Sequence, residues 1–192
     1  SIATIDVLYD LAFLLMDLMR RDARRAACLV LNHYLDLRRA AEDLSGLAAL
    51  PLFLSTRAGV RALVLADLVH ELPVADSLRQ RGDALDYFRM SLDFLKPPPP
   101  VLIAIGGLSG SGKTTVATHV APYLGAAPGA IHVRSDVERK RLAGVGETDA
   151  LPWESYTRES SAAVHRAALD RAEQALRARQ SAAARSRAEQ MF

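Results

Sequence analysis

The stretch Gly107-Leu108-Ser109-Gly110-Ser111-Gly112-Lys113-Thr114 constrains this chain more than any other. An unbroken apolar run, Val101-Leu102-Ile103-Ala104-Ile105, leads into it, and a helix-compatible stretch from Thr114 to Ala121 leads out. The apolar run predicts a strand buried on both faces. Glycines at three of the first six loop positions let the backbone take conformations closed to other residues. Successive N–H groups can then converge on one anion, and the positive end of the following helix points at the same place.

The spacing is G-x-x-x-x-G-K-[ST], a phosphate-loop pattern whose strand and helix context is also present. Gly107, Leu108, Ser109, Gly110, Ser111, Gly112, Lys113, Thr114 and Thr115 are therefore the candidate nucleotide-binding residues. Lys113 is placed to reach the β- and γ-phosphates of ATP, and the Thr114 hydroxyl to hold Mg²⁺. Lys96, Lys113 and Lys140 are the only lysines in a chain rich in arginine, so a lysine at this position is not compositional drift.

The 192 residues carry a formal net charge of +2, too little to argue for nucleic acid. A single cysteine, Cys28, cannot form an internal disulfide and suits a reducing cytoplasm, where it would serve as a small buried apolar group. The opening residues carry no targeting pattern. Leu8 to Met19 and Leu47 to Leu68 are strongly apolar but interrupted by charges or proline, and both read as buried helices rather than membrane spans. His33, His70, His119, His132 and His165 show no metal-ligand spacing.

Residues 1–96 read as helical throughout. Ile5, Leu8, Leu11, Leu15 and Leu18 make one stripe; further helices are expected at Ala26 to Leu37, Leu52 to Glu71 and Ser77 to Leu95, with Gly46 a break. The last of these would carry Leu78, Leu85, Phe88, Leu92 and Leu95 on its apolar side. Pro97 to Pro100 cannot continue a helix and mark a stiff linker. Residues 101–192 then read as an α/β unit of parallel-sheet type. Ala130-Ile131-His132-Val133 is its second strand, closed by Arg134-Ser135-Asp136, and a helix restarts at Val137. Ser160 to Gln190 reads as a long helix whose arginines form a solvated face and whose end frays. Only two strands are legible, so the sheet is expected to be incomplete. No apolar strand after the loop ends in Asp or Glu to supply a second Mg²⁺ anchor.

Residues 101 to about 176 resemble the ATP-binding half of bacterial two-domain proteins that join an aminoglycoside-phosphotransferase-like domain to a P-loop kinase-like domain. The loop, Val133-Arg134-Ser135-Asp136-Val137-Glu138-Arg139-Lys140-Arg141-Leu142, Leu151-Pro152 and Tyr156-Thr157 carry the likeness. This half is also similar to zeta-toxin-type and gluconate-kinase-type small-molecule kinases. The resemblance implies that Asp136 and Arg139, in a D-x-x-R arrangement, face a small-molecule phosphoryl acceptor with a hydroxyl group. Ile5 to Leu18 resembles a helix near the end of the phosphotransferase-like domain, whose catalytic and metal-binding segments this sequence lacks, leaving Asp6 and Asp10 structural roles. The chain thus reads as a fragment spanning a domain junction, with a truncated end.

From the residues alone, Asp136 serves either as a carboxylate orienting the acceptor or as the cap of the helix after it, and the two roles can coexist. Arg139 is either an acceptor or phosphate ligand or a solvated helix charge, and Trp153 and Tyr156 either line a cleft or pack. Two functions stay open: a kinase-derived ATP-binding protein, or a non-catalytic nucleotide-binding module or inactive fragment.

Overall fold

The computed structural model describes residues 6–38, 41–69, 73–108, 110–146 and 149–187. Ile5, His70, Glu71, Ser109 and Gln190, named above, lie outside the described residues.

Five helices come first. In α1 (Val7–Arg20) the Asp6 carboxylate accepts the Leu8 N–H at 2.9 Å, so Asp6 is the helix cap. Leu8, Ala12, Leu15 and Met16 form its buried stripe. Asp10 pairs with Arg57 at 2.8 Å, and that guanidinium lies 3.9 Å from the Tyr9 ring centroid. α2 (Arg24–Arg38) starts beyond the positive-φ residue Asp22. α3 (Ala41–Gly46), a 3₁₀ turn (Leu47–Ala49) and α4 (Leu50–Leu68) run on from one another, so Gly46 does not stop the helix. A Cβ there would stand 3.0 Å from Leu8 Cδ1, which is why a glycine fits. Leu44, Leu47, Leu50, Leu54, Ala58 and Ala62 recur every three or four residues and are buried.

α5 (Val74–Phe94) packs closely on α4 through small residues, with Ser55 Oγ and Ser91 Oγ 3.0 Å apart. The expectation of a buried helix over 47–68 holds for one face only. Leu52, Val60, Leu63 and Val64 are exposed, and so are Leu78, Leu85, Phe88 and Leu92 of α5. A groove of about 700 Å³ runs between the two helices. Asp43–Leu68 is long and apolar enough, by length and composition, to cross a bilayer.

The remaining elements are β1 (Leu102–Gly107), α6 (Lys113–Val120), β2 (Ile131–Arg134), α7 (Ser135–Leu142), α8 (Arg158–Arg177) and β3 (Ala182–Arg187). The sheet is parallel, in the order β1-β3-β2. This is a mixed fold of P-loop type: a helical first part and a three-stranded parallel sheet.

Two sequence expectations fail. The helix expected over Ser160 to Gln190 ends at Arg177, and the tail supplies the central strand. Arg179 takes φ 57°. Its N–H donates to Leu176 O at 2.9 Å, and the Gln180 N–H to Ala175 O at 2.8 Å, the paired bonds of a Schellman stop. Ala182 and Ala183 are then fully enclosed between the other two strands. Because β3 takes the centre, β1 is displaced to the edge. Leu102, Ala104 and Gly106 are exposed, and β1 is not buried on both faces.

The helices and the sheet share one core, in which Leu31, Leu35, Leu44 and Leu47 meet Ile131, Val133, Ala175 and Ala182. A buried ionic chain also joins them: Arg171 of α8 lies 3.5 Å from Asp36 of α2 and 3.4 Å from Glu138 of α7.

Candidate functional site

All three strands are parallel, so the loop after β1 and the residues after β2 emerge at the same edge of the sheet. One strand separates them, and at the usual spacing their ends stand roughly 10 Å apart. Carboxyl ends of parallel strands are where α/β folds bind ligands.

The loop has the backbone its spacing implies. Gly107, Gly110 and Gly112 have φ of 153°, 77° and 80°, and Gly112 is the left-handed residue before α6. At Gly107 the positive φ strains any residue with a Cβ, and that Cβ would also push on Ser111 Oγ, 2.7 Å away. Ser111 N–H donates to Leu108 O at 3.3 Å, closing the turn. Lys113 Nζ donates to Gly107 O at 2.8 Å and to Leu108 O, so the ammonium lies folded along the loop. Thr114 and Thr115 are exposed on the first turn of α6. The first N–H groups of a helix have no partner within it, and with the positive end of the helix they favour an anion.

Asp136 stands in the first turn of α7, after β2. It is not the cap, since Arg134 holds the cap position and makes no side-chain cap bond. Its carboxylate takes a 2.9 Å hydrogen bond from Arg134 and stays largely exposed. Partial burial raises its pKa, but the Arg134 bond and the charges of Arg134 and Arg185 outweigh that and hold it below the usual carboxylate range.

Arg139 is placed differently. It is buried, and its guanidinium donates to Ser155 O at 2.7 Å, Ser160 Oγ at 2.9 Å and Ser161 Oγ at 3.3 Å, with the exposed Tyr156 ring 4.8 Å away. These bonds clamp α7 to the start of α8. Arg139 is thus neither a solvated charge nor joined to the loop by any contact among the described residues.

Sequence reasoning missed Arg185. It sits on β3 in register with Ile105 on one side and Arg134 on the other. Burial and then the Arg134 charge lower its pKa. The arginines of this region read as the face of a helix, so nothing in the pattern marked it. The same cluster holds His132 neutral: burial, then the charges of Arg185 and Arg134, bring its pKa down to about 4. Cys28 is buried against Ala130 O, and burial pushes its thiol up to about 12, as expected of an inert packing residue.

The residues fit a phosphate chain through the loop and Lys113. For Mg²⁺ the donor set is thinner. Thr114 offers a hydroxyl, while β3, beside the loop strand, brings Arg185 and no carboxylate. Among the described residues no three of His, Cys, Asp and Glu lie close enough to share a metal ion.

Neither a curated protein nor a solved structure matches the chain. A family model does: residues 102–186, from the first residue of β1 to the penultimate residue of β3, are similar to the AAA domain, a likeness that supports a P-loop nucleotide-binding module over this part of the chain.

Proposed function

We propose that the loop Gly107 to Thr114 holds the phosphates of ATP, in a module derived from a small-molecule kinase. The observation that carries this reading is the loop itself: three positive-φ glycines between a strand and a helix, with Lys113 folded along them. Main-chain amides and the ammonium would neutralise the phosphates, and Mg²⁺ would arrive with the nucleotide and touch Thr114. Asp136, at the same sheet edge, would orient a hydroxyl acceptor. In this reading residues 1–96 are the end of an aminoglycoside-phosphotransferase-like domain, 97–100 a linker and 101–192 the nucleotide module. The protein would work in the cytoplasm.

A second reading, nucleotide binding without turnover, is favoured by two observations. The strand beside the loop carries Arg185 where a carboxylate would anchor Mg²⁺, and Arg139 is committed to packing. Both readings require ATP to bind. Calorimetry on the full chain should show heat with ATP, abolished by Lys113→Ala. No heat at millimolar ATP, or equal heat from the variant, would overturn both. Slow phosphate release above the Lys113→Ala background would favour the first.

A further inference from the structure

The helical part and the α/β unit leave a cleft of about 410 Å³ where they meet. Its lining comes from both: Met19 of α1, Arg24 of α2, Met90, Asp93 and Phe94 of α5, the linker at Pro97, and Tyr123 in the turn that follows α6. None of these residues belongs to the phosphate loop or to the sheet edge beside it. Clefts of a few hundred Å³, mostly apolar with a few polar groups, are the usual shape of small-molecule sites, and they favour junctions such as this one.

The lining names the body of a ligand. Phe94 is buried, while Tyr123 is 75 % exposed, so an aromatic ring stands at the cleft without cover. Met19 and Met90 are only partly packed into the core. Methionine side chains adapt to what they meet and make favourable contacts with aromatic rings. The charges name its head. Arg24 is half-buried, and its Nε is enclosed with no hydrogen-bond partner among the described residues. It opens α2, whose first turn holds no acidic residue, so the guanidinium stands against the positive end of its own helix. An anion placed there would meet a two-pronged donor. Asp93 lines the same cleft and limits the charge that can enter, which favours a singly charged carboxylate over a doubly charged phosphate.

We propose that this cleft binds a small aromatic carboxylate, its ring among Met19, Met90, Phe94 and Tyr123 and its carboxylate on Arg24. The site goes beyond the nucleotide reading and does not rest on it, because neither Lys113 nor the loop takes part.

The test is calorimetry on the full chain with phenylacetate and its neutral counterpart phenylacetamide. Phenylacetate should give saturable heat in the millimolar range, and phenylacetamide should bind about tenfold more weakly or worse. Arg24→Gln should lower the affinity for phenylacetate about tenfold. Tyr123→Ala, at an exposed ring whose removal leaves the core intact, should lower it severalfold. No heat from phenylacetate, equal affinity for the amide, or unchanged binding in both variants would overturn the proposal. Phenyl phosphate, measured in Lys113→Ala so that the loop cannot respond, should bind more weakly than phenylacetate, and tighter binding would overturn the choice of a carboxylate. Wild-type chain that binds phenylacetate but not ATP would sink the nucleotide reading and leave this one standing.

Discussion

The side-chain amide of Asn32 pairs with the backbone of His132 as a neighbouring strand would. Its Oδ1 accepts the His132 N–H at 2.6 Å, and its Nδ2 donates to Ala130 O at 3.1 Å and to Cys28 O at 2.9 Å. The outer edge of β2 is therefore closed by a residue of α2, from the other side of the proline segment. Asn32→Ala leaves the buried His132 N–H without this partner and Ala130 O with only the weak Cys28 thiol, so it should lower stability by about 2–3 kcal/mol. A denaturant midpoint equal to wild type would show that the edge needs no such closure.

The loop glycines should be replaceable only at a cost. Gly112→Ala forces a Cβ into the left-handed region, worth about 1–2 kcal/mol of strain. No atom lies within 4 Å of the added carbon, so strain alone is at work. We expect a small stability loss and a severalfold loss of ATP affinity. Calorimetry showing unchanged affinity would mean that the loop reshapes freely around its ligand.

Arg139→Ala removes a buried guanidinium that holds three groups at once. Its loss should cost about 2–4 kcal/mol in urea unfolding. ATP affinity, compared at a temperature where both proteins are folded, should stay within about twofold. A selective loss of affinity with normal stability would return Arg139 to the ligand.

The buried chain Asp36–Arg171–Glu138 should be more sensitive to halving than to removal. Glu138→Ala takes away the nearer of the two carboxylates that face buried Arg171 and should cost about 2–3 kcal/mol. Replacing all three together, Asp36→Leu, Glu138→Leu and Arg171→Met, should cost less than that single change. The opposite order of unfolding midpoints would refute the account.

His132 gives the fold an acid limit. Its folded pKa, about 4, lies below its ordinary 6.5. The unfolded chain therefore binds a proton that the folded chain refuses, and stability present above pH 6.5 drains away as pH falls toward 4. At about 1.4 kcal/mol per unit the full span is worth roughly 3 kcal/mol. His132→Gln should flatten that limb of the stability–pH curve, and an unaltered limb would assign it to other groups.

The parts of this fold that local chemistry dictates were readable from residues alone. The glycine spacing, the β-branched runs of β1 and β2 and the helix periods of α1 and α2 each announce themselves. β3 does not, because Ala182-Ala183-Ala184 is good helix material. What makes it a strand is the turn at Arg179 and the facing edges of β1 and β2, with which its backbone pairs on both sides, and both are tertiary facts. The same blindness hid Arg185 and the clamp made by Arg139. A charge's role depends on what surrounds it, and a helical face and a sheet edge can be written with the same letters.

β1 and β2 do not pair with each other: the only strand either pairs with among the described residues is β3, which follows both in the chain. Local assembly therefore cannot finish the sheet. Until residues 182–187 have been synthesised and slotted home, the strand that carries the glycine loop has nothing to lean on. Capacity to grip an anion must arrive late and all at once, and shortening the chain by a dozen residues should erase it as surely as cutting out the loop.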